Sequence, residues 1–259
     1  MTGNGVEGWL KVVGLGPGTE DWLTPEARRD LAEATDLVGY GPYVDRVPPG
    51  PQVRHASDNR VELDRARQAL QLASEGRKVA VVSGGDPGVF AMAAAVFEAL
   101  DDPNAPEAWH RVPLQVDPGI SAMQGAAARA GAPLGHDFCA ISLSDNLKPW
   151  DVVLKRLRLA AEADFVIALY NPISRARPWQ LGAAFEALRN LRSPETPVIL
   201  AQAVGRPDEN LIVTTLGTVD AAEADMRTCV IIGASHTRLI PRRGAQPWVY
   251  TPRSYGVRA

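Results

Sequence analysis

The stretch SGGDPG at residues 83–88 places two glycines, a carboxylate and a proline directly after an apolar, strand-like run. Asp86 followed by Pro87 is typical of a helix start, since a carboxylate caps a helix and proline suits its first position. Capping does not require Gly84 and Gly85, and paired glycines let the backbone approach a ligand closely. Open α/β sheets bind ligands at the carboxyl ends of their strands, where a carboxylate suits a cationic or hydroxylated ligand. The stretch therefore predicts a small-molecule site, with a simple helix cap as the structural alternative.

A second glycine-rich loop, GLGPG at residues 14–18, also follows a strand-like run. The dinucleotide fingerprint GxGxxG requires its third glycine where this sequence has Thr19, and the helix begins only at Thr24 and Pro25. Glu20 and Asp21 in the loop would repel a pyrophosphate, and the chain has no GxxxxGK[ST] loop. These observations exclude a dinucleotide or nucleoside triphosphate site. A tight turn without a ligand remains an alternative for this loop.

Three further turns follow strand-like runs: DPGIS at residues 117–121, LYNP at 169–172 and AVGR at 203–206. Each of them alone is also consistent with an ordinary turn that connects two elements and binds no ligand. Together they place small and polar groups around one cleft between two domains, which is a common location of small-molecule sites.

Apolar runs of strand length alternate with helical patterns, which predicts an α/β fold with a mostly parallel sheet. The predicted strands are 11–15, 36–40, 78–82, 112–116, 137–143, 165–170, 198–204, 211–216 and 229–233. The predicted helices are 25–34, 61–74, 89–100, 122–130, 149–162, 179–191 and a short one near 220–225.

The two strands at 198–204 and 211–216 are joined by a short polar turn that is too short for a crossover helix, so they must form an antiparallel hairpin. The second half of the chain is therefore mixed, unlike the first. We predict two domains, an N-terminal α/β domain at residues 1–116 and a C-terminal mixed α/β domain at residues 117–259. The basic tail at residues 241–259 is predicted to be irregular, without an element.

Composition limits the classes of function. The chain has 259 residues, of which 46% are hydrophobic and 22% charged, with a net charge of −3, so nothing attracts it globally to nucleic acid or an anionic membrane. No apolar run is long enough to span a membrane, and the N-terminus lacks a signal-peptide pattern. Cys139 and Cys229 lie in apolar runs and are predicted to be reduced thiols. The histidines show no metal-binding spacing, so we expect no metal. The missing membrane span and signal pattern, together with the reduced thiols, predict a cytoplasmic protein.

The order GLGPG, LTPEA, SGGDPGVF, DPGISA and LYNP resembles the tetrapyrrole methylase family over about residues 11–245. The resemblance implies methyl transfer from S-adenosylmethionine to a precorrin-type macrocycle, with S-adenosylhomocysteine as the product. It also implies two α/β domains that hold the cofactor in the cleft between them, and a homodimer. Carried over position by position, it implies that the cofactor-binding residues are Pro17, Gly84, Gly85, Asp86, Val89, Phe90, Ser121, Ala122, Tyr170, Ala203 and Thr228. Tyr170 stands where related enzymes often have Met or Leu.

Four stretches narrow the resemblance to one branch of this family: GYGPYVD at 39–45, PLGHDFCAISLSDNLKPW at 133–150, LYNPISRARPWQL at 169–181 and GRPDE at 205–209. Members of that branch methylate precorrin-3B at C-17 and contract the macrocycle to precorrin-4 in cobalamin biosynthesis. The alternatives are another precorrin methyltransferase of the pathway, a version that acts on the cobalt-containing substrate, and a ligand-sensing protein without enzymatic activity.

Ring contraction needs a base near the ring hydroxyl to start the carbon migration. His136, Asp145 and His236 are the candidates in the sequence, each with a structural role as its alternative, and the sequence assigns none of them. The macrocycle also carries many carboxylates. For these the sequence predicts a local positive field from arginines in polar turns, with solvated surface arginines as the alternative: Arg60, Arg175, Arg177 and Arg206.

Overall fold

The computed structural model describes residues 8–59 and 61–254. The chain divides into two compact units, Met1–Ser121 and Ala122–Ala259. The unit boundary falls after Ser121, whereas the boundary predicted from the sequence is near Asp117. Within the described residues, no helix has the length and apolar character needed to cross a lipid bilayer.

The first unit contains one five-stranded sheet in which every strand pair is parallel. Its strands are β1 (Trp9–Gly14), β2 (Asp36–Tyr40), β3 (Val53–Ser57), β4 (Lys78–Ser83) and β5 (Leu114–Asp117). They lie side by side in the order β3-β2-β4-β1-β5. The helices of this unit are α1 (Pro25–Glu33), α2 (Gly41–Val44), α3 (Glu62–Ser74) and α4 (Met92–Leu100).

Both faces of this sheet are buried, which explains why its strands read as continuous apolar runs rather than as alternating patterns. Val12 and Val81 pack with α3 and α4 in one apolar cluster, while their neighbours Val13 and Val82 pack with α1 in another. The fold class and the parallel sheet predicted from the sequence are confirmed. The predicted cap of α1 is confirmed too, since the hydroxyl of Thr24 accepts a hydrogen bond from the amide of Ala27 at 3.0 Å.

The second unit is built around a five-stranded mixed sheet. Its elements in chain order are α5 (Ala122–Ala130), β6 (Gly131–Ala132), β7 (Phe138–Ser142), α6 (Trp150–Glu162), β8 (Val166–Tyr170), α7 (Gln180–Arg189), β9 (Pro197–Gln202), β10 (Asn210–Thr215) and β11 (Thr228–Ile232). The sheet order is β10-β9-β11-β8-β7. The predicted hairpin is confirmed, because β9 and β10 pair antiparallel. The core lies between this sheet and helices α6 and α7, around Leu157, Leu169 and Phe185.

The prediction of a tail without an element is wrong. The tail contains β13 (Trp248–Tyr250), which pairs antiparallel with β12 (Arg238–Ile240) and parallel with β6. Val249 at the centre of β13 is 1% exposed, so this short strand is fixed by burial as well as by hydrogen bonds. The strand was not predicted because basic residues flank its short apolar sequence. One of them, Arg242, is exposed, and its guanidinium carbon lies 3.9 Å from the centre of the Trp248 ring.

Three further differences from the sequence prediction lie in the first unit, and one of them is the short helix α2, which was not predicted. Strand β3 was not predicted, because its sequence VRHAS is polar and only half-buried at the sheet edge. Helix α4 begins at Met92 rather than at residue 89, because Phe90 has a φ of 54° and cannot continue a right-handed helix. Cys139 in β7 and Cys229 in β11 are free thiols, as predicted.

Candidate functional site

Three loops follow neighbouring strands at the carboxyl edge of the first sheet. They are the β1 loop (residues 15–18), the β4 loop (residues 84–91) and the β5 loop (residues 118–121). Strand β1 pairs in parallel with both β4 and β5, so the three strands end side by side. The sequence predicted all three loops as turns, and the topology brings them to one edge.

Backbone hydrogen bonds join the β1 loop to the β4 loop. The amide of Gly16 donates to the carbonyl of Gly85 at 3.1 Å, and the amide of Gly85 donates to the carbonyl of Gly16 at 2.9 Å. Both glycines have positive φ, 63° and 70°, a conformation that glycine adopts without the cost of a side chain. The half-buried Pro17 follows directly, between Gly16 and Gly18. The glycines that the sequence singled out thus shape one continuous piece of backbone.

The carboxylate of Asp86 connects the β4 loop to the β5 loop. Its Oδ1 accepts a hydrogen bond from the amide of Gly88 at 2.8 Å, and its Oδ2 accepts one from the amide of Gly119 at 3.0 Å. Asp86 does not cap α4, so the helix-cap alternative is wrong: the N-cap is Ala91, and it makes no side-chain hydrogen bond. Each carboxylate oxygen has a second lone pair, so Asp86 is able to accept further hydrogen bonds from a ligand.

Close backbone packing at this edge leaves no room for side chains. A Cβ at Gly14 would lie 2.8 Å from the amide nitrogen of Gly119 and 2.9 Å from the carbonyl oxygen of Gly85. A Cβ at Gly84 would lie 2.7 Å from ring atoms of Tyr43. Gly14 is therefore required by the packing between loops, and Gly84 by the packing against the ring of Tyr43.

Arg46 and Tyr43, which were not predicted as site residues, support these loops. One terminal nitrogen of Arg46 donates to the carbonyls of Leu15, Gly16 and Gly18 at 2.9, 2.9 and 2.7 Å. These hydrogen bonds were not predictable from the sequence, because they join residues about thirty positions apart in the chain. The only signal was that Arg46 follows the GYGPYVD stretch directly.

Backbone strain concentrates in the loops that contain predicted site residues. Four described residues other than glycine have positive φ: Phe90 (54°), Asp164 (59°), Asn171 (52°) and Ala203 (50°). Phe90 and Ala203 are predicted cofactor residues, and Asn171 follows a third one. Such conformations cost about 1–3 kcal/mol each and persist where the surroundings impose them, often at functional sites. Phe90 is also half-exposed, at 50%.

In the second unit, the predicted residues meet at one edge of the mixed sheet. Tyr170 ends β8, Ala203 follows β9 and Thr228 begins β11, which runs antiparallel to both strands. The amide of Ala203 donates to the carbonyl of Arg227 at 3.1 Å. The hydroxyl of Tyr170 accepts a hydrogen bond from the amide of Met123 at 3.0 Å, which places Ala122, the first residue of α5, at the same edge. We call this the Tyr170 edge.

Three predicted cofactor residues have side chains that are buried or half-buried. Thr228 is 4% exposed, and its hydroxyl donates to the carboxylate of Asp225 at 2.9 Å, so it offers a ligand mainly its backbone. Ser121 is buried, at 2% exposure, as the last residue of the β5 loop. Val89 is half-buried in the β4 loop.

Three of the four predicted arginines lie within the described residues, two in one loop and one in a turn. Arg175 is exposed and Arg177 half-buried in the loop after β8, where Arg177 donates to the carbonyl of Asn171 at 3.2 Å. Arg206 is half-buried in the turn between β9 and β10. The loop and the turn both follow strands that end at the Tyr170 edge. Arg60 lies outside the described residues.

The chain belongs to the tetrapyrrole (corrin/porphyrin) methylases, whose family model matches residues 10–220. It is similar to a precorrin-3B C(17)-methyltransferase from Sinorhizobium sp, with 61% identity over 96% of this chain and 97% of that protein. The family resemblance seen in the sequence is therefore confirmed.

Two solved structures show the same fold. The crystal structure of the methyltransferase CobJ has a TM-score of 0.89 and 53% identity, covering 95% of this chain and 100% of that chain. A uroporphyrin-III C-methyltransferase from Thermus thermophilus, solved in complex with S-adenosylhomocysteine, has a TM-score of 0.66 and 26% identity, covering 87% of this chain and 92% of that one.

Proposed function

We propose that this chain methylates precorrin-3B at C-17, with S-adenosylmethionine as the methyl donor, and contracts the macrocycle to precorrin-4 in cobalamin biosynthesis. The observation that carries the proposal is the 61% identity to a precorrin-3B C(17)-methyltransferase over nearly the full length of both chains. The chain would act as a cytoplasmic homodimer, with domains at residues 1–116 and 117–259. A sister precorrin methyltransferase, an enzyme for the cobalt-containing substrate and a ligand sensor are the alternatives that an assay must separate.

The cofactor-binding residues proposed in the first unit are those of its three glycine-containing loops. The β4 loop offers an ammonium group the carboxylate of Asp86, whose two backbone hydrogen bonds leave lone pairs on both oxygens. Gly84 and Gly85 expose backbone without side chains beside that carboxylate. A zwitterionic sulfonium ligand fits this set of groups better than a phosphate does. The remaining proposed contacts in this unit are Pro17, Val89, Phe90 and Ser121.

In the second unit, the proposed contacts are Ala122, Tyr170, Ala203 and Thr228 at the Tyr170 edge. The bound cofactor supplies an electrophilic methyl group on a sulfonium. Methyl transfer to a carbon nucleophile then depends mainly on alignment, which effective concentration and orientation supply without an acid or base. Rigid elements provide such alignment, since the ring of Tyr170 is held by the amide of Met123 and Ala203 has a fixed left-handed conformation.

The test is incubation of the purified protein with precorrin-3B and S-adenosylmethionine. We expect S-adenosylhomocysteine to form together with a product that has one additional methyl group. Contraction is an isomerisation that mass alone does not detect, so carbon-13 NMR on labelled substrate must show the methyl at C-17 and the bridge carbon in a ketone. A methyl at another carbon would favour a sister enzyme, and binding without turnover would favour a sensor.

Asp86→Ala is expected to weaken S-adenosylhomocysteine binding by about tenfold or more, because hydrogen bonds to a charged group contribute roughly 1.5–3 kcal/mol. Isothermal titration calorimetry measures the change. Asp86→Asn should lose less, since its carbonyl oxygen replaces one of the two acceptors. Asp101→Ala, at an exposed aspartate of the same unit, is the matched control. Unchanged affinity in a folded Asp86→Ala protein would contradict the assignment.

Macrocycle binding is expected to weaken with salt while cofactor binding changes little. The substrate's carboxylates would pair with the exposed Arg175 and the half-buried Arg177 and Arg206, and three such pairs near the surface together contribute roughly 1–2 kcal/mol. Raising the salt from about 0.05 to 0.5 M should therefore raise the macrocycle's dissociation constant roughly fivefold to tenfold. Titration of both ligands by fluorescence quenching measures this, and an equal salt dependence for the two would refute the role of the arginines.

A further inference from the structure

We propose that Asp145 is the general base that starts ring contraction, and that the buried Gln180 positions it. This inference rests on the proposed function and specifies one residue of its second step. The sequence offered His136, Asp145 and His236 without a choice between them. The topology of the second unit separates the three.

Asp145 lies at the Tyr170 edge. Strands β7 and β8 are parallel, and their last residues, Ser142 and Tyr170, are register partners. The amide of Leu143 donates to the carbonyl of Tyr170 at 2.9 Å, so the pairing extends one residue beyond the strands. Asp145 follows two residues later, in the loop that leads to α6. Its neighbours on that edge are Ser142 and Asn171, whose amide nitrogen donates to the Ser142 hydroxyl at 2.9 Å.

Both histidines lie at the opposite edge of the sheet. His136 precedes β7, whose first residue, Phe138, is the register partner of Val166 at the start of β8. His236 follows β11, whose last residue pairs with Ile167, again near the start of β8. A five-residue strand spans about 17 Å. Neither histidine is therefore close to the residues of the Tyr170 edge.

The carboxylate of Asp145 is held on one side and open on the other. Its Oδ2 accepts a hydrogen bond from the side-chain nitrogen of Gln180 at 3.1 Å. Its Oδ1 has no hydrogen-bond partner among the described residues, and the side chain is half-buried. One oxygen is thus fixed in orientation while the other is available to accept a proton.

Gln180 is an unusual residue for a buried helix start. It is 1% exposed, and its own carbonyl oxygen is buried without a partner among the residues that the structure describes. An unsatisfied buried acceptor costs about 1–3 kcal/mol. A carboxylate accepts but does not donate, so it fixes which end of the Gln180 amide faces Asp145. The hydrogen bond to Asp145 therefore accounts for keeping this polar side chain in the core.

Lys148 is a cation whose charge interacts with the carboxylate of Asp145. Burial and the neighbouring Arg156 lower the pKa of Lys148, while Asp145 acts in the opposite direction, so the ammonium and the carboxylate attract each other.

The step is a single proton transfer. The O–H bond of the hydroxyl on the bridge carbon breaks, a new O–H bond forms at Oδ1 of Asp145, and the electron pair stays on the substrate oxygen. In the migration that follows, this electron pair forms the C=O bond, the ring bond of the bridge carbon shifts to the adjacent ring carbon, and that carbon releases a bonding electron pair to a heteroatom it carries, so the isomerisation needs no oxidant or reductant.

Asp145→Asn tests the proposal with purified protein, labelled precorrin-3B and S-adenosylmethionine. General base catalysis contributes about 10²- to 10⁴-fold, so we expect the contraction rate from carbon-13 NMR to fall by that factor. The affinity for S-adenosylhomocysteine should stay within about twofold. Asp151→Asn, at an exposed aspartate in the first turn of α6, is the matched control and should contract at the wild-type rate.

Gln180→Leu is the second variant, and it removes the positioning contact while keeping a similar volume. We expect kcat for contraction to fall about tenfold with KM nearly unchanged, whereas a merely structural role would lower the melting temperature and leave kcat per folded molecule intact. An Asp145→Asn or Gln180→Leu protein that contracts within threefold of the wild-type rate overturns the inference. If the wild-type and Asp151→Asn proteins do not contract precorrin-3B, the proposed function itself fails.

Discussion

Gly119→Ala is expected to weaken S-adenosylhomocysteine binding by up to about a hundredfold and to lower the melting temperature. The added methyl would overlap the carbonyl oxygen of Gly85 and lie 3.1 Å from the Cα of Gly14. All these atoms are backbone, so no side-chain rotation relieves the overlap and the loops must separate. Overpacking of this kind costs roughly 1–3 kcal/mol. Calorimetry and a thermal melt measure the two effects.

Gly41→Ala is the matched control, because a Cβ at this position of the same unit meets nothing within 4 Å. It should leave both affinity and stability nearly unchanged. If Gly119→Ala behaves like Gly41→Ala, the close packing of the three loops is not what shapes the site. If it lowers stability without changing affinity, the packing is real but the cofactor binds elsewhere.

The same packing explains why a glycine-rich first loop does not indicate a dinucleotide here. In the dinucleotide fingerprint the glycines let a pyrophosphate approach the helix N-terminus. In this chain, Gly14 instead makes room for the backbone of the β4 and β5 loops, and Gly16 exchanges two backbone hydrogen bonds with Gly85. The glycines in this loop are therefore explained by contacts with other loops and do not indicate a pyrophosphate site.

Much of the fold was predictable from the sequence because the buried strands are short, apolar and punctuated by glycine and proline. Strand β2 and helix α5 have the predicted bounds. Strand β3 was not predictable, since an edge strand with the polar sequence VRHAS carries no apolar pattern. The start of α4 was predicted too early, because nothing in the local sequence signals the positive φ of Phe90.

The candidate site was predictable only where glycines and motifs mark it. The sequence identified Asp86 but assigned its carboxylate to a helix cap or a ligand, whereas the structure shows it bonded to Gly88 and Gly119. Arg46 and Gln180 were missed because each acts on a loop that is distant in the chain. Contacts of this kind depend on which strands become neighbours, and strand order is a property of the folded chain.

A buried pair of carboxyl groups in the first unit has a consequence for stability. Asp117 at the end of β5 is fully buried and Asp30 on α1 is 5% exposed, and one oxygen of each lacks an ordinary hydrogen-bond partner among the described residues. Lys11 pairs with Asp30 at 2.7 Å, and Gln115 donates to Asp117 at 2.7 Å. Burial, then the neighbouring Asp30 and Glu26, raise the pKa of Asp117 to about 6. Below about pH 6, a protonated Asp117 is able to donate a hydrogen bond to Asp30, which would give both of these oxygens a partner.

Asp117→Asn is therefore expected to stabilise the protein at pH 8 and to change little at pH 4. Because the folded state holds the proton more tightly than the unfolded chain, this group's contribution is most favourable below about pH 4 and is lost as pH rises through about 6. The rise in the pKa of Asp117 from 3.8 to about 6 corresponds to about 3 kcal/mol, so we expect a gain of roughly 1–3 kcal/mol at pH 8. The amide of asparagine also supplies a permanent donor toward Asp30.

Urea unfolding followed by tryptophan fluorescence at both pH values measures the difference, with the exposed Asp21→Asn as control. An equal effect at pH 4 and pH 8, or a loss of stability at pH 8, would show that Asp117 is ionised and compensated in the folded protein.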